Sequence, residues 1–225
     1  GDSTLLLNTV DGNTAVGSKA LQNNTTGSGN VSLGYLALML NTTGVNNTAA
    51  GVWSLNANST GSSNTASGAF SLLVNRTGIE NTAMGVSALV RNTTGSSNTA
   101  IGMASLHGNT VGYSNTALGK VALYSNSTGS NNVAIGDSAL LLNTVDGNTA
   151  VGSKALQNNT TGAANASLGN WALRFNTTGV NNTATGFWNL LLNSTGSSNT
   201  ASGAYSMMDN STGIENTAMG VAALV

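Results

Sequence analysis

The sequence predicts an all-β protein, a parallel β-solenoid (β-roll) of about thirteen coils of seventeen residues each. Three observations predict it. The motif N-T-A-x-G-x-x-A-L-x-x-N-T-T-G-x-x opens at Asn13 and returns at Asn30, Asn47, Asn64, Asn81, Asn98, Asn115, Asn132, Asn148, Asn165, Asn182, Asn199 and Asn216. Every step is seventeen residues except the sixteen from Asn132 to Asn148, and a fixed period of this size marks a stack of like units. Glycine recurs too often within each copy for a helix, where each interior glycine costs about 1 kcal/mol. Proline is absent, as expected of a chain hydrogen-bonded along its whole length, which cannot give up a backbone donor.

Each part of the copy has a local reading. Thr-Ala-x ahead of glycine alternates as a short strand does, with alanine on one face and threonine on the other. The glycine at the fifth position is present in every copy, from Gly17 to Gly220, and predicts a bend. The ninth position is leucine in every complete copy except at Met207, and a second short strand is expected to hold it. Asn-Thr-Thr-Gly is turn chemistry: asparagine bonds its own backbone and glycine supplies positive φ. Stacked coils pair as parallel strands about 4.8 Å apart. Like residues then form columns: leucine and alanine inside, and asparagine amides bonded from coil to coil.

A longer period overlies the short one. Leu5 to Gly27 recurs unchanged as Leu140 to Gly162, and Asp2 aligns with Asp137, 135 residues on. Seven steps of seventeen and one of sixteen make that unit, so the short step at Asn-Thr-Val-Asp-Gly is a regular feature. Residues 1–225 read as a single array without an internal boundary. Neither end resembles the polar cap that a solenoid needs, so the expectation is a segment of a longer protein.

Composition narrows the function. Charged residues are 6% and the formal net charge is -1, which supplies neither a basic footprint for nucleic acid nor a polybasic membrane patch. No apolar run approaches the roughly 18 residues of a membrane span. Without cysteine, disulfides and thiolate metal sites are excluded. Hydrophobic residues make up 40% at fixed positions, which argues against disorder.

No catalytic, cofactor-binding or metal-binding residues are expected, and no enzymatic activity. His107 is the one histidine and lies at a variable position with no serine or acid at a motif spacing. Glu80 and Glu215 occupy equivalent turn positions, as do Asp11 and Asp146; isolated acids do not make a calcium site. Asn-x-Thr sequons recur in register at Asn24, Asn41, Asn58, Asn75, Asn92, Asn126, Asn159, Asn176, Asn193 and Asn210, and the preferred reading is a structural turn. Tyr35, Trp53, Phe70, Trp171, Phe187, Trp188 and Tyr205 all lie at variable positions. A coil this short cannot take them inside, so they predict packing against another chain, as a homotrimer or a filament.

The copy Asn132-Val133-Ala134-Ile135-Gly136, followed by Asp137-Ser138-Ala139-Leu140, resembles the head repeat of trimeric autotransporter adhesins. Asn-Thr-Ala-x-Gly with Asn-Thr-Thr-Gly is also similar to repeats of bacteriophage and bacterial tail fibres. The resemblance implies a left-handed parallel β-roll, a trimeric assembly, and an adhesive or fibre role at a cell surface or virion. The function expected is therefore a structural extracellular fibre or adhesin stalk. The alternative is a surface-binding module for ice, glycan or a cell receptor, using the threonine columns or the aromatic positions.

Overall fold

The Thr-Ala-x tripeptide is the one stretch of each copy that becomes a β-strand. The computed structural model describes residues 1–224, and the chain divides into two units, Gly1–Ser114 and the part from Asn115 onward. The first holds β1 (Thr14–Val16), β2 (Val31–Leu33), β3 (Thr48–Ala50), β4 (Thr65–Ser67), β5 (Thr82–Met84) and β6 (Thr99–Ile101). The second holds β7 (Thr116–Leu118), β8 (Val133–Ile135), β9 (Thr149–Val151), β10 (Ala166–Leu168), β11 (Thr183–Thr185), β12 (Thr200–Ser202) and β13 (Thr217–Met219). Within each unit the strands pair in parallel and in sequence order. Like residues sit opposite like: Ala49 faces Ala66 and Ala66 faces Ala83, and in the second unit Ala184 faces Ala201. No residue described is helical. The protein is a parallel β-solenoid of seventeen-residue coils.

The invariant leucine does not lie on a second strand. In the coil that opens at Asn47, residues 52–57 form consecutive turns, with Trp53 at φ 58° and Leu55 at φ 49°. The same left-handed values recur at the seventh and ninth positions throughout both units, for example at Trp171 and Leu173. This resolves why the residues after the glycine show no two-residue alternation. The backbone still forms rungs there. Gly51 and Trp53 donate N–H to Leu33 O and Tyr35 O of the preceding coil, at 2.8 and 3.0 Å, while Leu55 and Ala57 donate to Ser71 O and Leu73 O of the next, both at 2.9 Å. A left-handed residue other than glycine costs about 1–2 kcal/mol. Full burial of a leucine contributes about 2 kcal/mol, and Leu55 is completely buried, so packing offsets the backbone strain.

The core is narrow. Leucine columns run from Leu21 to Leu106 in the first unit and from Leu123 to Leu190, then Met207, in the second; all are buried. Beside them lie the inward alanine or serine of each strand and the residue ahead of each leucine, which is alanine or serine except at Asn189. The glycine at the fifth position permits the close stacking. A Cβ on Gly51, which has φ +136°, would stand 2.7 Å from the carbonyl carbon and oxygen of Gly68.

Candidate functional site

What recurs at every coil is a clamp of two asparagines on one carbonyl. In the coil opening at Asn64, Asn64 Nδ2 donates to Gly78 O at 2.9 Å and to Asn47 Oδ1 of the preceding coil at 3.1 Å. Asn75 Nδ2 donates to the same Gly78 O at 2.9 Å and to Asn58 Oδ1 at 2.8 Å. Asn64 N–H also donates to Asn47 Oδ1, at 3.0 Å. The second unit repeats the arrangement: Asn182 Nδ2 reaches Gly196 O and Asn165 Oδ1, and Asn193 Nδ2 reaches the same Gly196 O and Asn176 Oδ1. These amides are buried, and a buried amide must find partners for both hydrogens and its oxygen. Stacking in register supplies them. The clamp also accounts for the glycine: a Cβ on Gly61 would meet Asn75 Nδ2 at 2.7 Å and collide with Gly78 O.

The sequon asparagines belong to this ladder. The nitrogen that would carry a glycan on Asn58 donates both of its hydrogens, to Asn41 Oδ1 at 2.7 Å and to Gly61 O at 2.8 Å. A third ladder was not foreseen. At the thirteenth position the Oγ of Thr42, Ser59 and Thr93 donates to the backbone oxygen of Ser59, Arg76 and Thr110 in the next coil, at 2.8–2.9 Å. The signal was present in the restriction of that position to threonine or serine in nearly every copy. Arg76 fits because its backbone oxygen accepts from Ser59; a hydroxyl is not needed for that role.

The sixteen-residue coil keeps the clamp with one residue fewer. Val145 O takes the place of the glycine carbonyl, accepting from Asn132 Nδ2 at 2.8 Å and Asn143 Nδ2 at 2.7 Å. Asn148 Nδ2 donates to Asn143 Oδ1 at 3.0 Å. Asp146 Oδ1 accepts the Ser130 N–H at 2.7 Å, a place filled elsewhere by a serine hydroxyl, as where Val180 N–H reaches Ser197 Oγ at 3.1 Å. The equivalent stretch of the first unit does the same, with Asn8 Nδ2 on Val10 O at 2.6 Å.

The ionisable residues stand apart from this framework. Among the described residues no group of three or more histidine, cysteine, aspartate or glutamate side chains is placed to hold a metal ion. Glu80 is exposed and accepts from Ser97 Oγ at 3.1 Å; Asp11 and Glu215 are exposed. His107 is half-buried. Burial, and secondarily the nearby Arg91 cation, holds its imidazole below the ordinary value of 6.5.

Two outer surfaces vary from coil to coil. The first is the outward face of the strands, made by the residues either side of the inward alanine. Neither of those positions carries a charge in any of the thirteen strands. Val16, Leu118 and Leu168 on it are 62%, 43% and 53% exposed. The second is the surface at the sixth and seventh positions, where seven of the ten aromatic residues lie. Tyr35, Phe70, Phe187 and Tyr205 are exposed, but Trp53, Trp171 and Trp188 are half-buried, and Leu36, at the same position as the tryptophans, is buried. In the second unit the rings stack on one another along the coils. Trp171 and Trp188 are parallel at 5.4 Å between centroids, Phe187 stacks on Trp188 at 5.3 Å, and Tyr205 meets both Phe187 and Trp188 edge-on. The Arg174 guanidinium lies 4.0 Å from the Trp171 ring centre and donates Nε–H to Gln157 Oε1 at 2.9 Å. Trp171 and Trp188 are one coil apart at the same position.

No protein-family model, curated protein or solved structure matches the chain.

Proposed function

We propose that the chain is a shaft segment of an extracellular fibre or adhesin stalk, acting through length, stiffness and the display of a repeated surface. One observation carries this reading. Within each unit successive coils are tied together by backbone rungs and by buried asparagine clamps, while most of the side chains that differ between coils lie at the surface. Such a ladder resists bending and gains one equal increment per added coil. The resemblance to adhesin heads and tail fibres supports the extracellular setting. Assembly with further copies belongs to the same proposal, since it would cover the apolar side chains left outside. The contact would lie either at the aromatic surface that includes Tyr35, Trp53, Phe70, Trp171, Phe187, Trp188 and Tyr205, or on the strand face. Electron microscopy of the protein, and of a version lengthened by a second copy of residues 2–136, tests the shaft reading. Uniform threads that lengthen with the added coils are expected; particles of unchanged dimensions would refute it.

A second reading, an ice-binding surface, draws on Thr48, Thr65, Thr82 and Thr99, which stand in unbroken register on β3 to β6. The neighbouring outward position runs Ala50, Ser67, Met84 and Ile101, an uneven rank beside an even one. Thermal hysteresis in solution decides this: its absence removes the reading.

A further inference from the structure

We infer that the outward strand face of the second unit, β7–β13, binds a second copy of the chain, sheet against sheet. The inference rests on the proposed assembly with further copies and selects the surface and the stoichiometry.

Three features of the face single out another copy as its occupant. It carries no charge from Thr116 to Met219 at either outward position, so a like face meets no like-charge repulsion and a charged partner finds nothing to pair with. Its rungs repeat at about 4.8 Å, a spacing that a second copy matches. It is also uneven in a self-complementary way. Leu118, Leu168 and Met219 protrude, whereas Thr185 and Ser202 are small. Where Ala166 stands in place of threonine, a depression of about 180 Å³ opens on the face between Thr149, Val151, Leu168 and Thr183. A protruding leucine or methionine of the facing sheet fits such a hollow.

The aromatic surface is the weaker candidate. In the second unit its two tryptophans are already covered within the chain, Trp171 lying between Arg174 and Trp188 and Trp188 between Trp171 and Tyr205, which leaves Phe187 and Tyr205 as its exposed rings.

Area sets the strength. Three residues at about 3.3 Å each and a rung of about 4.8 Å give about 50 Å² per coil. Seven strands give about 350 Å² per copy, under half of the roughly 800 Å² per partner in a stable complex. The pair is therefore weak and forms at high protein concentration.

Sedimentation equilibrium of the 225-residue chain up to about 1 mM tests the inference. The expected result is a mass that rises with concentration toward twice the monomer. Leu118→Lys with Leu168→Lys should hold the protein at monomer mass with an unchanged melting curve. Leu118→Ser with Leu168→Ser uses a residue that β4 and β12 already carry outward, and should weaken pairing at least fivefold. Tyr205→Ser should pair as the wild type does. A wild type that stays monomeric, a plateau at three times the monomer mass, or pairing that survives both leucine variants would overturn the inference. Pairing lost in Tyr205→Ser but kept in the leucine variants would place the contact at the aromatic surface, so that assembly stands and this face does not.

Discussion

Replacing Asn75 by aspartate changes one atom of the clamp and no shape. Nδ2 donates two hydrogen bonds, to Asn58 Oδ1 at 2.8 Å and Gly78 O at 2.9 Å, and the oxygen that replaces it donates one when protonated and none when ionised. In the neutral acid the O–H serves Asn58 Oδ1 and Gly78 O keeps its bond from Asn64, so one bond is lost, at about 1 kcal/mol. The loss then grows by about 1.4 kcal/mol for each pH unit between the unfolded pKa and the folded one, a large share of the 5–15 kcal/mol of an ordinary domain. The position is fully buried, so ionisation would cost several kcal/mol more and the acid takes up a proton instead. Its folded pKa lies above the unfolded value of about 3.9. The sign follows: the unfolded chain releases that proton first, so the variant loses stability as pH rises from about 4 through the raised folded value. The assay is urea unfolding by circular dichroism at several pH values, with hydrogen exchange over residues 64–97 to catch a local opening of adjacent coils. Thr77→Asp, at an exposed site in the same turn, is the control and should stay within about 0.5 kcal/mol. If Asn75→Asp matches wild type at pH 7 and shows no pH slope, the clamp does not hold the coils.

Gly68→Ala forces a Cβ to 2.6 Å from Gly85 O at a residue with φ +133°; backbone cannot yield there, and a loss above about 3 kcal/mol is expected, visible as protease cleavage between residues 68 and 90. Asn189→Ser should leave the melting temperature nearly unchanged, because it removes an Oδ1 that is buried without a partner but also the Nδ2 bond to Gly203 O at 2.8 Å, two effects of about 1 kcal/mol each and opposite sign, while a serine at this position can donate as Ser71 does to Gly68 O at 2.8 Å. Mass spectrometry of folded protein from a glycosylating host should find Asn41, Asn58 and Asn75 unmodified, since their amide hydrogens are all donated inside the ladder. His107 has a folded pKa below 6.5, so the unfolded state binds the proton first and stability falls as pH drops through about 6.5; His107→Gln should flatten that part of the melting-temperature profile.

The fold was legible because its causes repeat. A residue needed in every coil appears in every copy, so the inward alanine, the leucine column and the two asparagines could be read by comparing the chain with itself. The strand Thr65-Ala66-Ser67 and its partner Thr82-Ala83-Met84 fall where the period places them. The second strand was misread because alternation was assumed to be the one way of reaching a neighbouring coil. Leu55 and Trp53 reach theirs from left-handed turns, and no residue preference announces that conformation for leucine or tryptophan. The outer surfaces were half legible. Exposure followed from variability, but which exposed rings cover one another depends on side-chain directions that the period does not contain. Leu36 shows the same limit: at a position where most of its counterparts are half-buried or exposed, it is buried.

The sixteen-residue coil shows what the fold demands. Deleting a residue from a solenoid coil would be expected to shift every later column out of register. Here the loss falls inside the Asn-Thr-Thr-Gly turn, and the demand placed on that turn is narrow: one carbonyl oxygen must lie where two amides converge. Val145 meets it as well as any glycine does, with bonds of 2.8 and 2.7 Å, and β8 and β9 still pair with Ala134 opposite Ala150. Residue count and side-chain type in the turn are therefore secondary, and donor–acceptor sense at the clamp is primary. The same logic predicts opposite fates for two small changes, a whole residue removed without harm and a single nitrogen exchanged for oxygen with heavy loss. It also explains how a 135-residue unit can carry one short coil at each recurrence without interrupting the ladder.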